Sequence, residues 1–279
     1  MPSFTGDDSR DKIPAFKNLR LEQIGRKRCY VAELADGGRR VFERSVTQIT
    51  GQLNKPGLVW WAASCAAEHA AAQVESGRLA VDVEEARKAH LAVSARAMKI
   101  GTVVHAAAEQ GAICCDDPAL LTPAEHCFRL LKDWRSSRGL EVISTERAVC
   151  NHILDYAGTL DFLARGKDGR LILGDYKTGK DCYTEYRMQM GGYSLAIQAM
   201  GEAAPDEAIV ILLPKPEDGQ AWTEVPIWRT PEERQAWELA FINACHLHSA
   251  LATANKISHE PVLGEPVVCE DEFWEAFAA

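Results

Sequence analysis

The sequence predicts a mixed α/β (α+β) domain with a helical N-terminal half, and three patterns indicate this fold class. The first half carries long helical segments behind one β-hairpin. At Leu140 the pattern changes to strand-like segments, EVISTERAV, YAGTLDFLARG and GRLILGDYKTG. Capping boxes at Thr122 and Thr230 mark one helix start in each half. Of the 279 residues 47% are apolar, which is enough for a sizeable core.

The N-terminal half is expected to run from a tail through a hairpin into helices. Residues 1–17 are polar and predict a flexible tail. Alternating apolar and polar residues around Asp36-Gly37-Gly38 predict the hairpin. Ser45 or Thr47 is expected to cap the first helix. The predicted bounds are 28–34 and 39–44 for the strands and 45–53, 58–76, 83–99, 101–111 and 122–138 for the helices.

The second half is expected to hold most of the sheet. A tight turn at residues 166–169 joins two of its strands. A helix, a buried strand, an amphipathic strand and a long final helix follow at 184–200, 208–214, 222–228 and 230–255. We expect one domain over residues 18–279, with a hairpin and helices at 18–139, a core at 140–215 and a final strand and helix at 216–279.

The charge balance limits the classes of function. The chain has 31 basic and 40 acidic residues, a net charge of −9, which argues against a protein that coats nucleic acid with a basic surface. It leaves room for an enzyme that holds DNA in one local groove. No apolar run approaches the roughly 18 residues of a membrane span, and MPSFTGDDSRDK lacks the apolar stretch of a signal peptide. We therefore expect a cytoplasmic protein, not bound to a membrane, with reduced cysteines.

The hairpin between residues 156 and 177 carries the strongest chemical signal. Period-two geometry puts Asp175 and Lys177 on one face of their strand. With the turn at 166–169, Asp161 is expected opposite Gly174, within one residue of Asp175. Both carboxylates lie among apolar neighbours, where they need a partner or a metal ion. Oxygen ligands suit Mg²⁺ or Mn²⁺, which activate water and stabilise phosphoryl charge.

Two further pairs are spaced one helical turn apart. His105 and Glu109 share a face of the predicted helix at 101–111, which favours a metal-ligand role for the histidine. Gln189 and Tyr193 form the second pair, in a helix that follows Lys177 after a short loop. The intervening Gly191-Gly192 is expected to permit close approach by the sheet or by a ligand.

These motifs together resemble the PD-(D/E)XK nuclease superfamily, in its RecB-like branch with Cas4-type and bacteriophage exonucleases. The matching segments are GTVVH, GTLDFLA, GDYKTGK and QMGGY, in the order typical of that branch. The segment SVTQITGQLNKPGLVWWA at residues 45–62 also resembles phage members. The resemblance covers about residues 40–200. It implies a mixed β-sheet core flanked by helices and metal-dependent hydrolysis of DNA phosphodiester bonds.

The resemblance also implies a role for each matching residue. Asp161 and Asp175 would be metal ligands, and Lys177 the catalytic lysine. Gln189 and Tyr193 would support the lysine or contact DNA. Further ligands of Mg²⁺ or Mn²⁺ would be His105, the backbone carbonyl of Tyr176 and either Glu109 or Glu146.

The cysteines depart from the pattern of many Cas4-type relatives. Those relatives hold an iron–sulfur cluster with one early cysteine and three closely spaced late ones. Here only two cysteines follow Cys182, at 245 and 269, and no C-x-x-C spacing occurs. We expect no iron–sulfur cluster.

Candidate contacts to DNA and partners lie outside the motifs. A basic stripe on the predicted helix at 122–138 is either a set of phosphate contacts or a solvated face; it consists of Arg129, Lys132, Arg135 and Arg138. Residues 26–28 and 39–40 form a second basic patch. Trp60 and Trp61 are expected in the core rather than stacked on bases. The C-terminal CEDEFWEAFAA is expected to anchor a partner or to dock on the protein itself.

Together these features favour an exonuclease that acts on linear ends of single- or double-stranded DNA, in phage or bacterial recombination or repair. A recombination protein is a candidate partner, and a phage-encoded enzyme would work in the host cytoplasm. Two alternatives stay open: a structure-selective or nicking endonuclease, and a catalytically silent nuclease fold that binds DNA or a partner. The intact set of Asp161, Asp175 and Lys177 argues against the silent version.

Overall fold

The structure, a computed structural model, describes residues 16–257. Over this range the chain forms eight strands and six α-helices, which confirms the predicted fold class. The strands are β1 (Phe16–Ile24), β2 (Lys27–Leu34), β3 (Arg39–Phe42), β4 (Glu141–Asn151), β5 (Tyr156–Arg165), β6 (Leu171–Lys177), β7 (Glu207–Leu212) and β8 (Thr223–Trp228). The helices are α1 (Val46–Thr50), α2 (Pro56–Glu75), α3 (Val83–Gln110), α4 (Pro118–Arg138), α5 (Thr184–Ala199) and α6 (Pro231–Ala254).

Both ends of the chain lie outside the described residues. The predicted tail at 1–17 is outside except for Phe16 and Lys17, which begin β1. The acidic and aromatic C-terminal segment, with Phe273, Trp274 and Phe277, is outside as well. Among residues 16–257, no helix has both the length and the apolar character that crossing a membrane requires.

A five-stranded mixed sheet forms the centre of the fold. Its strand order is β4-β5-β6-β7-β8, and β6 and β7 are its parallel pair. A parallel pair needs a crossover connection, which α5 supplies. The β5–β6 hairpin closes at the predicted turn, where Gly169 adopts φ 85°. Apolar side chains cover both faces of this sheet, one packed with α1, α5 and α6 and the other with α3 and α4.

A second, three-stranded antiparallel sheet has the order β1-β2-β3. Strands β2 and β3 confirm the predicted hairpin, whereas β1 was not predicted. The alternation of apolar residues in β1 is broken because the register shifts between Lys17 and Arg20, and Asn18 adopts φ 49°. Because of this irregularity, the sequence of β1 lacks the period-two alternation by which a strand is recognised.

Two predicted helix boundaries are wrong. The helices expected at 83–99 and 101–111 form the single helix α3, which continues through Gly101. Helix α4 begins at Pro118, capped by Asp117, and not at Thr122. Pro123 therefore lies inside α4, where it cannot donate to the carbonyl of Ala119. Arg96 of α3 donates to that carbonyl at 3.2 Å and so replaces the missing bond.

Helix α2 is the main correction to the predicted core. It occupies the expected position, but only Cys65 and Gln73 are buried along its 20 residues. Trp60 is 78% exposed, so its assignment to the core is wrong. Trp61 is half-buried and lies edge-on to His90 of α3. The helix packs mainly on α3, and one neighbour covers only part of its surface.

The predicted helix caps are otherwise confirmed. Ser45, not Thr47, caps α1 and forms a capping box with Gln48. Thr230 and Glu233 form the capping box that starts α6. These local hydrogen bonds satisfy backbone groups that the first turn of a helix leaves free.

Candidate active site

The β5–β6 hairpin brings the two aspartates together at one end of the central sheet. The last pair of its ladder is Phe162 with Gly174, so the expected pairing of Asp161 with Gly174 is off by one residue. Asp161 of β5 and Asp175 of β6 are the next residues beyond that pair at the same end of the hairpin ladder. Gly174 is required here because a Cβ atom would lie 1.7 Å from Cζ of Phe162. Both carboxylates are nearly buried, with Asp161 7% and Asp175 1% exposed.

A candidate metal-binding group forms where α3 crosses this end of the sheet. It consists of His105, Glu146 and Asp161, whose ligand atoms all lie within 4.8 Å of one another. Nδ1 of His105 is 3.4 Å from Oε1 of Glu146 and 3.4 Å from Oδ1 of Asp161. Glu146 stands between residues of β4 that pair with Phe162 and Leu160 of β5, which puts it beside Asp161.

Glu146 adopts a backbone conformation that is unfavourable for a residue with a side chain. Its φ of 45° lies in the left-handed region and costs about 1 kcal/mol or more. Glu146 and Glu109 were the two acidic residues expected as an extra ligand, and Glu146 is the one that belongs to the candidate metal-binding group. Glu109 lies on the exposed face of α3 and lines the cavity at this site without joining the group.

The backbone of Tyr176 orients two of these side chains. Its N–H donates to Oδ2 of Asp161 at 2.6 Å, and its carbonyl accepts from Nε2 of His105 at 3.1 Å. Nε2 acts as the donor in this contact because a carbonyl oxygen only accepts, and Nδ1 faces two carboxylates. Burial alone would lower the pKa of His105, but Asp161 and Glu146 outweigh it and raise that pKa to about 10.

Asp175 and Lys177 form the second part of the site. Oδ2 of Asp175 lies 2.5 Å from Nζ of Lys177, which confirms that the two share a face of β6. Burial and the charge of Asp161 raise the pKa of Asp175 to about 6. For Asp161, burial opposes ionisation, but His105 and Lys177 lower the pKa below its usual value.

The donor set fits a divalent cation. Both carboxylate oxygens of Asp175 are buried: Oδ2 contacts the ammonium of Lys177, whereas Oδ1 has no hydrogen-bond partner among the described residues. Two buried carboxylates side by side repel each other, and a cation between them removes that penalty. Carboxylate oxygens, a backbone carbonyl and one imidazole nitrogen are ligands that suit Mg²⁺ or Mn²⁺.

The basic stripe on α4 does not form one free surface. Arg135 donates to the hydroxyl of Tyr176 at 2.9 Å and to the carbonyl of Ala108 at 3.1 Å. Arg138 is paired with Glu224 at 2.9 Å. The remaining two, Arg129 and Lys132, are exposed. Contact between this pair and DNA stays a prediction.

Arg135 instead connects the elements that carry the site. The Tyr176 ring that it holds stacks on Phe162, with centroids 4.9 Å apart and planes at 20°. Trp134 packs against both rings. Because Tyr176 contacts His105 and Asp161 through its backbone, Arg135 supports the site from behind the sheet.

Gln189 and Tyr193 lie on α5 and contact each other as their spacing suggests. Nε2 of Gln189 donates to the Tyr193 hydroxyl at 2.8 Å. Gly191 and Gly192 were expected to permit close approach by the sheet or by a ligand. Instead, they face helix α6. A Cβ at Gly191 would lie 2.4 Å from the carbonyl oxygen of Trp237, and one at Gly192 would lie 2.7 Å from the ring of Phe241.

A cavity of about 770 Å³ opens over the candidate ligands. Its walls include three residues to which the sequence analysis gave no role: Met98, Thr178 and Tyr186. Tyr186 precedes Gln189 by three residues and Tyr193 by seven, so helical periodicity could have placed it on the same face. A smaller cavity of about 450 Å³ adjoins this one and shares Arg28 and Glu146 with it. Arg28 belongs to the second basic patch and makes no ion pair or side-chain hydrogen bond in the described part of the chain.

Comparison with known protein families identifies the class of protein to which this fold and site belong. A model of the PD-(D/E)XK nuclease superfamily matches residues 62–270, which is most of the chain. The chain belongs to this superfamily, whose nucleases use divalent metal ions. No curated protein matches the chain.

Two solved structures show a distant likeness to the chain. The crystal structure of SSO0001 is 15% identical, with a TM-score of 0.30 over 52% of this chain and 64% of the other. The structure of LHK-Exo in complex with dAMP is 16% identical, with a TM-score of 0.29 over 58% of this chain and 86% of the other. The chain thus spans less than two thirds of the first of these relatives.

Proposed function

We propose that this chain is a deoxyribonuclease that depends on Mg²⁺ or Mn²⁺ and degrades linear DNA from its ends. The observation that carries the proposal is the convergence of Asp161, Asp175 and Lys177 with His105 and Glu146 beside one cavity. A binding protein has no need of two buried carboxylates and a buried lysine, because such charges cost free energy to bury.

Each side chain has a definite task in this proposal. Five groups would hold the divalent cation, which would supply Lewis acidity and an activated water: the side chains of Asp161, Asp175, His105 and Glu146 and the carbonyl of Tyr176. His105 would have to be deprotonated to act as a ligand, and its positive charge would then be replaced by that of the cation.

Lys177 acts on the phosphate that is cleaved. Its ammonium is held by Asp175 at 2.5 Å and faces the cavity. From this position it stabilises the negative charge that develops on the phosphoryl oxygens, or it orients the attacking water. Burial would lower the pKa of Lys177, but Asp175 and Asp161 raise it, so the amine stays charged.

Gln189 and Tyr193 support the lysine side of the site in this proposal. Tyr193 is buried and lines the smaller cavity together with Glu146 and Arg28. Its hydroxyl accepts the bond from Gln189, which keeps the polar ends of both side chains together. The smaller cavity thus gives the site a second polar wall next to the metal ligands, which suits a DNA strand that passes across these ligands.

Assignment to the RecB-like, Cas4-type bacteriophage branch rests on the order of the four motifs in the sequence. We propose on the same basis that the enzyme serves recombination or repair, with a recombination protein as a partner.

Matched linear and covalently closed circular DNA test the proposal. The purified protein is incubated with each DNA and Mn²⁺ or Mg²⁺, beside the Asp175→Ala variant and an EDTA control. Degradation of the linear DNA alone, lost in the variant and with EDTA, is the expected result. Cutting of the circle would establish an endonuclease instead. Binding of DNA without cleavage would favour the catalytically silent alternative.

A further inference from the structure

A pair of tyrosines stands at the start of α5, at the rim of the candidate active site. Tyr183 is the N-cap residue of this helix, and Tyr186 lies in its first turn. Their ring centroids are 5.4 Å apart, with the planes at 71°. Tyr186 is partly buried against the core, whereas Tyr183 is 51% exposed. The pair therefore presents one supported aromatic ring to solvent.

This tyrosine pair is connected directly to the proposed catalytic lysine. Nζ of Lys177 lies 5.0 Å from the ring centroid of Tyr186, a cation–π contact that helps to hold the ammonium in place. The path from Lys177 through Tyr186 to Tyr183 thus leads from the site of cleavage to the surface. A group that lies against Tyr183 is thus connected to Lys177 through the ring of Tyr186, over contacts of 5.4 and 5.0 Å.

The cavity beside the lysine has room for one nucleotide. Its volume of about 770 Å³ lies within the range of small-ligand pockets, roughly 300 to 1,000 Å³. Met98 of α3 is 69% exposed and adds an apolar wall to the same cavity. An aromatic and an apolar wall beside a phosphate-directed lysine suit a base and its own phosphate.

Charged residues of both signs surround the tyrosine pair. Asp181 is exposed and lies two residues before Tyr183, whereas Glu185, between the two tyrosines, is paired with Lys55 at 2.9 Å. Lys180 is exposed in the loop just before Tyr183. Arg28 contributes a cation from the second sheet to the same cavity. A strand whose base lies on the aromatic side thus meets cations for its flanking phosphates.

We propose that Tyr183, supported by Tyr186, stacks on an unpaired base next to the scissile phosphate, and that the preferred substrate is an unpaired DNA strand. A base inside a duplex has both faces covered by its neighbours, and the terminal base of a blunt duplex is held in place by its pairing partner, whereas an unpaired base is free to turn onto Tyr183. Stacking of this kind tolerates any base, because every base has a π-face. This inference rests on the proposed nuclease function and names its substrate class.

Binding in Ca²⁺ tests the stacking without requiring cleavage. The probe is a single-stranded oligonucleotide with a fluorescent adenine analogue near one end, titrated with the full-length protein. Tyr183→Ala is expected to weaken binding by roughly 5- to 100-fold, the loss for one stacked base, and to abolish the quenching of the analogue. Tyr183→Phe keeps the ring and is expected to retain both. Trp60→Ala, which removes an exposed aromatic ring outside the cavity, is the matched control and is expected to change neither.

Several outcomes would overturn the inference. Unchanged binding by Tyr183→Ala, an equal loss in Tyr183→Phe, or the same loss in Trp60→Ala would each exclude stacking on this ring. In a parallel cleavage assay with Mn²⁺, equal rates on single-stranded and blunt duplex DNA would exclude the substrate preference.

The two assays separate this inference from the proposed function. Normal cleavage with no effect of Tyr183→Ala refutes the stacking alone. Quenching that depends on Tyr183 in a protein that cleaves no DNA refutes the nuclease activity while the stacking stands.

Discussion

Strand β6 and helix α2 are both strongly apolar segments, yet they end in opposite environments. Leu173 of β6 is fully buried, whereas Trp60 of α2 is 78% exposed. Strand β6 is paired with β5 on one edge and β7 on the other, and helices cover both of its faces. Helix α2 packs mainly on α3. The comparison teaches that apolar composition creates a tendency to be buried, and the number of packing partners decides the outcome.

The same contrast holds for charged residues in the two regions. Around α2 and α3, ion pairs such as Glu84 with Arg87 are exposed, and pairs of this kind contribute about 0–1 kcal/mol. Asp175 at the end of β6 is only 1% exposed and lies beside a second carboxylate. Its charge is not screened by water and therefore needs a cation in direct contact, which the ammonium of Lys177 supplies at 2.5 Å.

The largest expected difference between the two regions concerns activity. Lys177→Ala removes the buried ammonium and is expected to lower the rate of DNA cleavage by roughly 100- to 1,000-fold. Lys88→Ala removes an exposed lysine of α3, paired with Glu84 at 3.5 Å, and is expected to leave the rate unchanged. Single-turnover cleavage of linear DNA measures both. Equal rates for the two variants would contradict the role of Lys177.

Glycine substitutions test the difference in packing. Gly174→Ala puts a Cβ atom into the ring of Phe162 and is expected to lower the free energy of unfolding by about 3 kcal/mol. Gly57→Ala lies in α2, where a Cβ meets nothing within 4 Å, and is expected to raise that free energy by about 0.5–1 kcal/mol. Urea unfolding followed by circular dichroism compares them. Similar values for the two variants would mean that β6 is less tightly packed than described.

The support that Arg135 gives to the site predicts an effect on metal affinity. Arg135→Met removes the bonds to Tyr176 and Ala108, and is expected to raise the Mn²⁺ concentration for half-maximal cleavage by roughly 10- to 100-fold. Arg129→Met, at an exposed position of the same helix, is the control. If both variants require the wild-type Mn²⁺ concentration, Arg135 does not position the ligands.

The smallest effect is expected at the exposed tryptophan. Trp60→Ala is expected to change the free energy of unfolding by no more than about 0.5 kcal/mol, because the side chain already lies in water. Differential scanning calorimetry measures the change. A loss of several kcal/mol would show that Trp60 is buried in solution, against the contrast drawn above.

Local signals in the sequence were sufficient for most elements. The hairpin turn at 166–169, the helix cap at Ser45 and the capping box at Thr230 were all predicted and are confirmed. Their signals act over a few residues, so no distant part of the chain is needed to recognise them. The start of α4 was misplaced because Thr122-Pro123 has the pattern of a cap, while Arg96 from another helix makes Pro123 tolerable inside α4.

The candidate site was predictable only in part. The order of the motifs singled out Asp161, Asp175, Lys177 and His105, but nothing local chose between Glu109 and Glu146 as the further acidic residue. That choice depends on the pairing of β4 with β5 and on the positive φ of Glu146. The regular spacing of Arg135 within the basic stripe likewise gave no sign of its bond to Tyr176.

The amino-acid sequence by itself thus determined the fold class, most of the helices and strands and the set of residues that belong to the superfamily pattern. Periodicity, caps and turns are properties of short segments, and a motif keeps its order along the chain. The tertiary structure alone decided which apolar helix stays exposed, which glutamate faces His105 and which arginine faces inward. These outcomes depend on contacts between residues far apart in the chain, and only packing brings such residues together.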